Sequence, residues 1–298
     1  MTPILLMEPF RAVFYAPYYV ALDRGLFAAE GLDLRIETAD SPDAAANKLI
    51  DGSADMAWSG PMRPMLMRSR DDNAPLRCFG AAIMRDPFLV LGMGERPGFK
   101  PADLATLRVA IPSEVPTPWW CLQQDLRDAG VDPKAIPGIR HMPMPEGAKA
   151  LLAGEVDAVM LFEPFAAGLE EKGASVWYAG ASRGPTAYSS LYATETRIGE
   201  KQDALAGAVR ALGASLRWIA EQAPEAIAAQ LAPRFTDTQP AHLLRAVARY
   251  KELGLWQGTT RLPEAALDRL ALSMVGAGAM SHHPGYASCV DGRFDALA

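Results

Sequence analysis

The sequence has few cysteines, no long apolar run and no cluster of basic residues, and each absence excludes a class of protein. Its three cysteines, Cys78, Cys121 and Cys289, lie far apart without a CxxC pair, which excludes a disulfide framework and a cysteine-type zinc site. No segment reaches the run of about eighteen uncharged apolar residues that a membrane-spanning helix needs. Lysines and arginines are scattered through a chain of net charge −6, which argues against a nucleic-acid surface.

What is present is the composition of a soluble globular protein. The chain has 298 residues, of which 50% are hydrophobic and 21% charged, and this length suits two lobes better than one core. Its first residues, MTPILLMEPFR, have no basic segment and no small-residue cleavage site. We therefore expect either a cytoplasmic protein or an exported one whose signal was removed.

Strand and helix patterns alternate over the first two-thirds of the chain. PILLME predicts a strand, PYYVALDRGLFAAEG one helix closed by Gly31, and LDLRIETA the next strand. After the Pro/Gly-rich connection ERPGFKPADLATL the alternation restarts with RVAIP, and from Ile198 onward the pattern is helical. This order predicts an α/β protein with doubly wound, mainly parallel sheets and a C-terminal helical region.

One helix–strand junction occurs twice. Gly52 and Asp55 in KLIDGSADMAWSGPM recur 102 positions later as Gly154 and Asp157 in KALLAGEVDAVMLFEPF. Each Asp precedes an apolar strand, where we expect it to accept a hydrogen bond from the backbone at the turn. The repeat indicates two similar α/β lobes, although such junctions also converge by chance in α/β proteins.

The segments that follow the predicted strands are rich in aromatic residues. In doubly wound sheets, ligands bind beyond the carboxyl ends of the strands. Aromatic walls with a few polar groups suit a small organic ligand, and helices starting near Pro61 and Thr117 offer free N–H groups to an anion. The strand-end residues of interest are Phe10, Phe14, Tyr15, Trp58, Arg63, Arg85, Trp119, Trp120, Glu163 and Tyr188.

Each candidate catalytic or metal-binding motif in the sequence lacks a feature that its chemistry needs. GASRG at 180–184 matches G-x-S-x-G, but Pro185 and a strand-forming segment follow where a nucleophile elbow needs a helix. GMGERPG is one residue too long for a dinucleotide fingerprint. His282 and His283 are adjacent and cannot share one face of a helix. We expect no cofactor, no metal and no catalytic residue.

Several of these segments resemble the substrate-binding proteins of ABC transporters, in the branch that binds nitrate, taurine, alkanesulfonates and thiamine-pyrimidine precursors. The resemblance rests on YAPYYVALDRGLFAAEGLDLRI, KLIDGSADMAWSGP, DLATLRVAIPSE, LLAGEVDAVMLFEPFAAGLEEKG and RYKELGLWQ. It covers nearly the whole chain, and it specifies the family better than the ligand.

The resemblance implies a type II periplasmic-binding-protein fold. Two lobes, residues 1–91 with 192–298 and residues 92–191, would be joined by strands crossing near Phe88–Gly94 and Tyr188–Thr196, with the C-terminal helices returning to the first lobe. A small-molecule ligand between the lobes, an ABC permease and ATPase as partners, and a monomeric state are implied as well.

Two enzymes resemble the same family, and the residues can be compared with theirs. Fungal hydroxymethylpyrimidine phosphate synthases use a lysine, a histidine four residues later and a cysteine-rich run; at the aligned positions this chain has Ser59 and Arg63, and no cysteine run. Aromatic sulfinate desulfinases use a cysteine after the first strand, where this chain has EPFRAVFYAP. The predicted function is therefore non-catalytic binding of a heterocyclic, aromatic or sulfonate-like ligand. An enzyme on the same fold and a cytoplasmic ligand sensor are the alternatives.

The predicted binding site combines strand-end residues of both lobes. Aromatic side chains would stack on the ligand, while Arg63 or a helix N-terminus would meet an anionic group. The predicted site residues are Phe14, Tyr15, Trp58, Ser59, Gly60, Arg63, Arg85, Ser113, Thr117, Trp119, Trp120, Glu163 and Tyr188.

Overall fold

A computed structural model describes residues 1–256 and 258–297 of the chain. The chain begins with the elements of the first lobe, which are β1 (Thr2–Glu8), α1 (Ala16–Asp23), α2 (Leu26–Ala29), β2 (Leu32–Thr38), α3 (Pro42–Ile50), β3 (Met56–Ser59), α4 (Met62–Arg68) and β4 (Leu76–Ile83). The second sheet follows with β5 (Leu89–Met93), β6 (Val109–Pro112), α5 (Thr117–Asp128), β7 (Ile139–Met142), α6 (Met144–Leu152), β8 (Ala158–Leu161), α7 (Phe165–Glu170) and β9 (Ala174–Ala179). The chain then returns through β10 (Ser189–Thr194) to α8 (Glu195–Glu200), α9 (Gln202–Glu221), α10 (Pro224–Leu231), α11 (Pro240–Glu252), α12 (Glu264–Gly276) and α13 (Tyr286–Cys289).

The two sheets have the same topology. The first has the strand order β2-β1-β3-β10-β4 and the second β7-β6-β8-β5-β9. In each sheet three neighbouring strands run parallel, and one strand, β10 or β5, runs antiparallel to both of its neighbours. The predicted fold class, two α/β lobes followed by a helical region, is confirmed.

The repeated junction occupies equivalent places in the two sheets. Gly52 and Gly154 both adopt left-handed backbone conformations, with φ of 80° and 70°, so a side chain there would be strained. Asp55 accepts a 2.8 Å hydrogen bond from the backbone N–H of Leu5, and Asp157 accepts one of 2.8 Å from Arg108. Each carboxylate therefore ties the start of one strand to its parallel neighbour rather than to its own turn, and the repeat reflects a repeated lobe.

Two details of the sequence prediction differ from the structure. The single helix predicted for PYYVALDRGLFAAEG is two helices, because Gly25 adopts a left-handed φ of 68° and ends the first. The lobes are joined by residues 84–88 and 180–188, which contain no strand, while β5 and β10 each lie within one sheet. The predicted boundaries at 91 and 192 therefore fall inside these two strands.

The C-terminal helices contact both lobes. The hydroxyl of Ser215 in α9 donates a 2.6 Å hydrogen bond to the carbonyl of Pro17 in the first lobe. In contrast, α11 makes ion pairs with Glu163 and Glu170 of the second lobe, and α12 packs on α5. Within residues 1–256 and 258–297, no helix is both long and apolar enough to cross a membrane.

Gly138 offers a test of how tightly the second sheet is assembled. A Cβ there would lie 2.8 Å from the Cα of Arg108 and closer still to the carbonyl of Leu107, both backbone atoms that cannot swing away. We expect Gly138→Ala to lower the free energy of unfolding by about 1–3 kcal/mol in a urea titration. Gly199→Ala is the control, because no atom lies within 4 Å of its added methyl group; an equal loss there would contradict the packing argument.

Candidate functional site

A pocket of about 320 Å³ lies between the two lobes, at the ends of strands from both sheets. It is lined by the loop after β1, the β3–α4 junction, the start of α3, the β6–α5 connection and the two segments that join the lobes. The lining residues are Phe10, Phe14, Tyr15, Ser41, Asp43, Ser59, Gly60, Met62, Arg63, Phe88, Glu114, Val115, Pro116, Thr117 and Tyr188. This volume is at the lower end of the range for small-molecule sites.

The first lobe contributes the end of β3 and the first turn of α4. Ser59 closes the strand and is 6% exposed. A Cβ on Gly60 would lie 3.3 Å from Met62 Cγ and 3.5 Å from the Tyr188 carbonyl, so glycine lets the chain turn close to the lobe connection. The turn places Arg63 at the pocket wall.

Arg63 is only partly satisfied by protein groups. One of its terminal nitrogens is paired with Asp43 of α3, whose side chain is 68% exposed. Its Nε is buried and has no hydrogen-bond partner among the residues that the structure describes. A buried unpaired donor is costly, so the Nε of Arg63 would be stabilised by any acceptor that reaches it.

The second lobe contributes the connection from β6 to α5. Thr117 donates a 2.8 Å hydrogen bond from Oγ1 to Met62 Sδ, a direct contact between side chains of the two lobes. Glu114 accepts a 2.9 Å hydrogen bond from the N–H of Met144, which fixes this loop at the start of α6. The lobes are therefore in contact at one side of the pocket.

Aromatic side chains form most of the remaining wall. Phe14 packs on Tyr15 with a centroid distance of 4.4 Å and meets Tyr188 edge-on at 6.3 Å, while Phe88 lies 6.1 Å from Tyr188. Burial raises the pKa of the Tyr15 and Tyr188 hydroxyls well above the ordinary tyrosine value. Both hydroxyls are protonated at physiological pH, as an ordinary tyrosine is, and can donate a hydrogen bond to a ligand.

Seven of the predicted site residues line this one pocket: Phe14, Tyr15, Ser59, Gly60, Arg63, Thr117 and Tyr188. They come from both lobes and from one of the two connections. They meet because the strand ends of the two sheets face each other across the pocket.

Three predicted site residues have structural environments away from the pocket. Trp58 is fully buried and stacks on Tyr18 at 4.5 Å, because the inward face of β3 points into the core of the first lobe. Glu163 is also fully buried; it pairs with Arg249 and accepts a 2.9 Å hydrogen bond from the N–H of Ala167. Arg85 donates a 2.9 Å hydrogen bond to the carbonyl of Ala181, linking the two lobe connections.

The other three lie near the pocket without lining it. Ser113 is exposed and donates its backbone N–H to the carbonyl of Met142 at 3.0 Å. Trp119 belongs to the hydrophobic core that extends through both lobes. Trp120 packs against a second cluster of buried residues, which includes Leu267 and Leu270 of α12. Successive positions of α5 point in different directions, so only Thr117 of this group lines the pocket.

The remaining lining residues were not part of the predicted site: Phe10, Ser41, Asp43, Met62, Phe88, Glu114, Val115 and Pro116. Phe10 is one of the strand-end residues named from the sequence, and Glu114, Val115 and Pro116 also lie in a strand-end segment, so that criterion applied more widely would include them. Ser41 and Asp43 could be found from the N-cap of α3, where the Ser41 side chain accepts a hydrogen bond from Ala44. In the described part of the chain, no three His, Cys, Asp or Glu side chains come together as a potential metal site.

Two equivalent α/β lobes with a pocket between their strand ends define a type II periplasmic-binding-protein fold. The particular family follows from the sequence, because the profile described as NMT1/THI5 like matches residues 14–226. The chain belongs to the NMT1/THI5-like family.

Known proteins of similar sequence or structure include binders and an enzyme. The protein named "Putative binding protein YtlA" from Bacillus subtilis (strain 168) is 24% identical over 294 residues, or 98% of this chain and 88% of YtlA. The structure described as "putative sulfonate ABC transporter, periplasmic sulfonate-binding protein SsuA" from Methylobacillus flagellatus KT has a TM-score of 0.78 at 11% identity, over 99% of this chain and 93% of SsuA. The desulfurization enzyme DSZB has a TM-score of 0.69 at 14% identity, over 99% of this chain and 97% of DSZB. At sequence identities this low, the two structural matches establish a shared fold and nothing further.

Proposed function

We propose that this protein captures a small organic molecule between its two lobes and delivers it, unchanged, to an ABC importer. The observation that carries the proposal is the interlobe pocket, whose walls come from the strand ends of both lobes and from the segments that join them. The family membership and the segments that resemble ABC-transporter binding proteins support the same function.

The pocket favours a ligand with an aromatic or heterocyclic body and an acceptor group. Five of its lining side chains are aromatic, and rings bind rings by stacking and by burial of apolar area. The pocket offers three hydrogen-bond donors: the unpaired Nε of Arg63 and the neutral hydroxyls of Tyr15 and Tyr188. A carboxylate, a sulfonate or a ring nitrogen of a ligand would accept these hydrogen bonds. We therefore propose small aromatic or heterocyclic acids and sulfonates as the ligand class.

Binding of this kind couples to movement of the lobes. A ligand touching Ser59 on one lobe and Thr117 on the other makes its full set of contacts only when the lobes are close. Such a ligand shifts the population toward the closed form, with residues 84–88 and 180–188 as the natural hinge.

The alternative is an enzyme on the same fold, as the likeness to DSZB illustrates. The thiols of Cys78 and Cys121 do not serve that alternative, because burial raises the pKa of each to about 12 and neither lines the pocket. A thermal-shift screen of pyrimidines, aromatic acids and sulfonates, with mass spectrometry of each positive mixture, separates the two functions. A compound that stabilises the protein and is recovered unchanged supports capture, whereas its conversion to a product would refute it.

Arg63→Met tests the donor role of the guanidinium. A charge-assisted hydrogen bond contributes about 1.5–3 kcal/mol, so we expect the Kd of an acidic ligand to rise about 10–150-fold in isothermal titration calorimetry. Arg35→Met, at a side chain 78% exposed and remote from the pocket, is the control and should leave Kd unchanged. Equal affinities in Arg63→Met and wild type would remove Arg63 from the site.

A further inference from the structure

A second cavity of about 400 Å³ lies beside the ligand pocket, on the other side of the contact between Phe10 and Phe162. Phe10 lines the first cavity, and Phe162 lines the second. Their rings stack across the cleft, with centroids 6.2 Å apart and planes 9° from parallel. Phe10 follows β1 of the first lobe and Phe162 follows β8 of the second, so the partition is made by both lobes.

The two rings differ in burial and in backbone. Phe162 is 5% exposed, directly follows β8 and has further aromatic contacts, with Phe88 at 5.2 Å and Phe14 at 5.4 Å. Phe10 contacts Tyr15 at 5.7 Å and Phe14 at 6.2 Å, but it is only partly buried and lies in a loop without regular structure. Of the two rings, Phe10 is therefore the one that can turn away more readily.

The second cavity has its own chemistry. Phe162, Phe165 and Phe235 provide an apolar wall, and the cations at its edge are Arg11 and Arg234, with Asp237 as the one carboxylate among the lining residues. Arg234 is paired with Asp23 at 2.5 Å. Arg11 is exposed, donates a 3.1 Å hydrogen bond to the carbonyl of Arg234, and belongs to none of the ion pairs among the described residues. An anionic group in this cavity would find Arg11 available.

We propose that Phe10 determines ligand length: its ring closes the pocket behind Arg63 and restricts the protein to compact ligands, although a second anion-accepting cavity lies beyond it. The inference rests on the proposed function, because it concerns the same cleft. It predicts that removal of the ring admits an elongated dianion, with one charge at Arg63 and the other at Arg11.

Two dicarboxylates of different length test this inference. Terephthalate has one ring and biphenyl-4,4′-dicarboxylate has two, with the same charge and the same terminal groups. We expect the ratio of their Kd values, long over short, to fall at least tenfold from wild type to Phe10→Ala in isothermal titration calorimetry, and to fall less in Phe10→Leu. Adding Arg11→Ala to Phe10→Ala should raise the Kd of the long probe about tenfold and leave terephthalate unchanged.

Phe99→Ala is the matched control, since Phe99 packs on Trp177 and lines neither cavity. The inference is wrong if the ratio is the same in wild type and both Phe10 variants, if Arg11→Ala has no effect in the Phe10→Ala protein, or if the long probe fails to bind Phe10→Ala at millimolar concentration. The proposed function fails separately, on the compound screen with the wild-type protein. A wild type that binds a screened compound while its Phe10 variants keep the same length preference would overturn this inference alone.

Discussion

Replacing Arg183 with methionine should lower the free energy of unfolding by about 3–5 kcal/mol, the loss typical when one partner of a buried ion pair is removed. Arg183 is 5% exposed and contacts two carboxylates at 2.5 Å, Asp86, which is fully buried, and Asp125 of α5. Burial opposes the charge of Arg183, but the two carboxylates outweigh it and hold the guanidinium pKa above its usual value. Chemical denaturation of wild type and variant measures the loss.

The ion pair between Arg183 and Asp86 links the two segments that join the lobes. Asp86 lies in one lobe connection and Arg183 in the other, and Tyr178 donates a 2.8 Å hydrogen bond to Asp125. If the loss comes from uncompensated buried carboxylates, Asp86→Asn should restore part of it in the Arg183→Met background. Arg108→Met, at an ion pair whose partners are 47% and 35% exposed, is the control and should cost far less. Similar losses in the two single variants would contradict the assignment of a buried cluster.

The second large effect is expected at Arg249, which connects α11 to the second lobe. Arg249 pairs with Glu163 and, at 2.7 Å, with Glu170, and the Tyr250 hydroxyl accepts a 2.9 Å hydrogen bond from the N–H of Glu163. Arg249→Met should lower the free energy of unfolding by about 3 kcal/mol, the lower end of the range, because the arginine side chain is 17% exposed. Denaturant titrations of the two proteins give this difference.

The pH dependence identifies Glu163 as the source of that loss. Burial raises the pKa of Glu163, and Arg249 opposes the rise. Without Arg249 the folded-state pKa rises further above the unfolded value, so the folded variant prefers the protonated carboxyl. The deficit relative to wild type should therefore be largest at pH 8 and shrink as the pH falls toward 5. A deficit independent of pH, or one that Glu163→Gln fails to reduce, would contradict this origin.

The repeated junction shows what the sequence could predict. Gly52 with Asp55 and Gly154 with Asp157 correctly indicated two similar lobes, because left-handed turns and strand-tying carboxylates depend on local chemistry that the sequence carries. The strand-end criterion likewise selected Ser59, Gly60 and Arg63 after β3 and Thr117 after β6, and these residues line one pocket because the strand ends of the two sheets face each other.

Trp58 and Glu163 show where such reasoning stops. Both follow the strand-end criterion, but the direction of each side chain depends on packing against distant elements: Tyr18 of α1 for Trp58, and Arg249 of α11 for Glu163. The partner of Glu163 is 86 residues away in the sequence, and no local sequence pattern predicts a contact between residues so far apart. Phe10 and Phe162 are separated still more widely in the sequence and meet only because the two lobes face each other.

The most direct test of ligand capture between the lobes is a crystal structure of the protein with a compound from the screen. We expect the intact compound in the interlobe pocket, with its acceptor group on Arg63 and its ring against Tyr15 and Tyr188. A compound bound outside this pocket, or a chemically altered product within it, would contradict ligand capture.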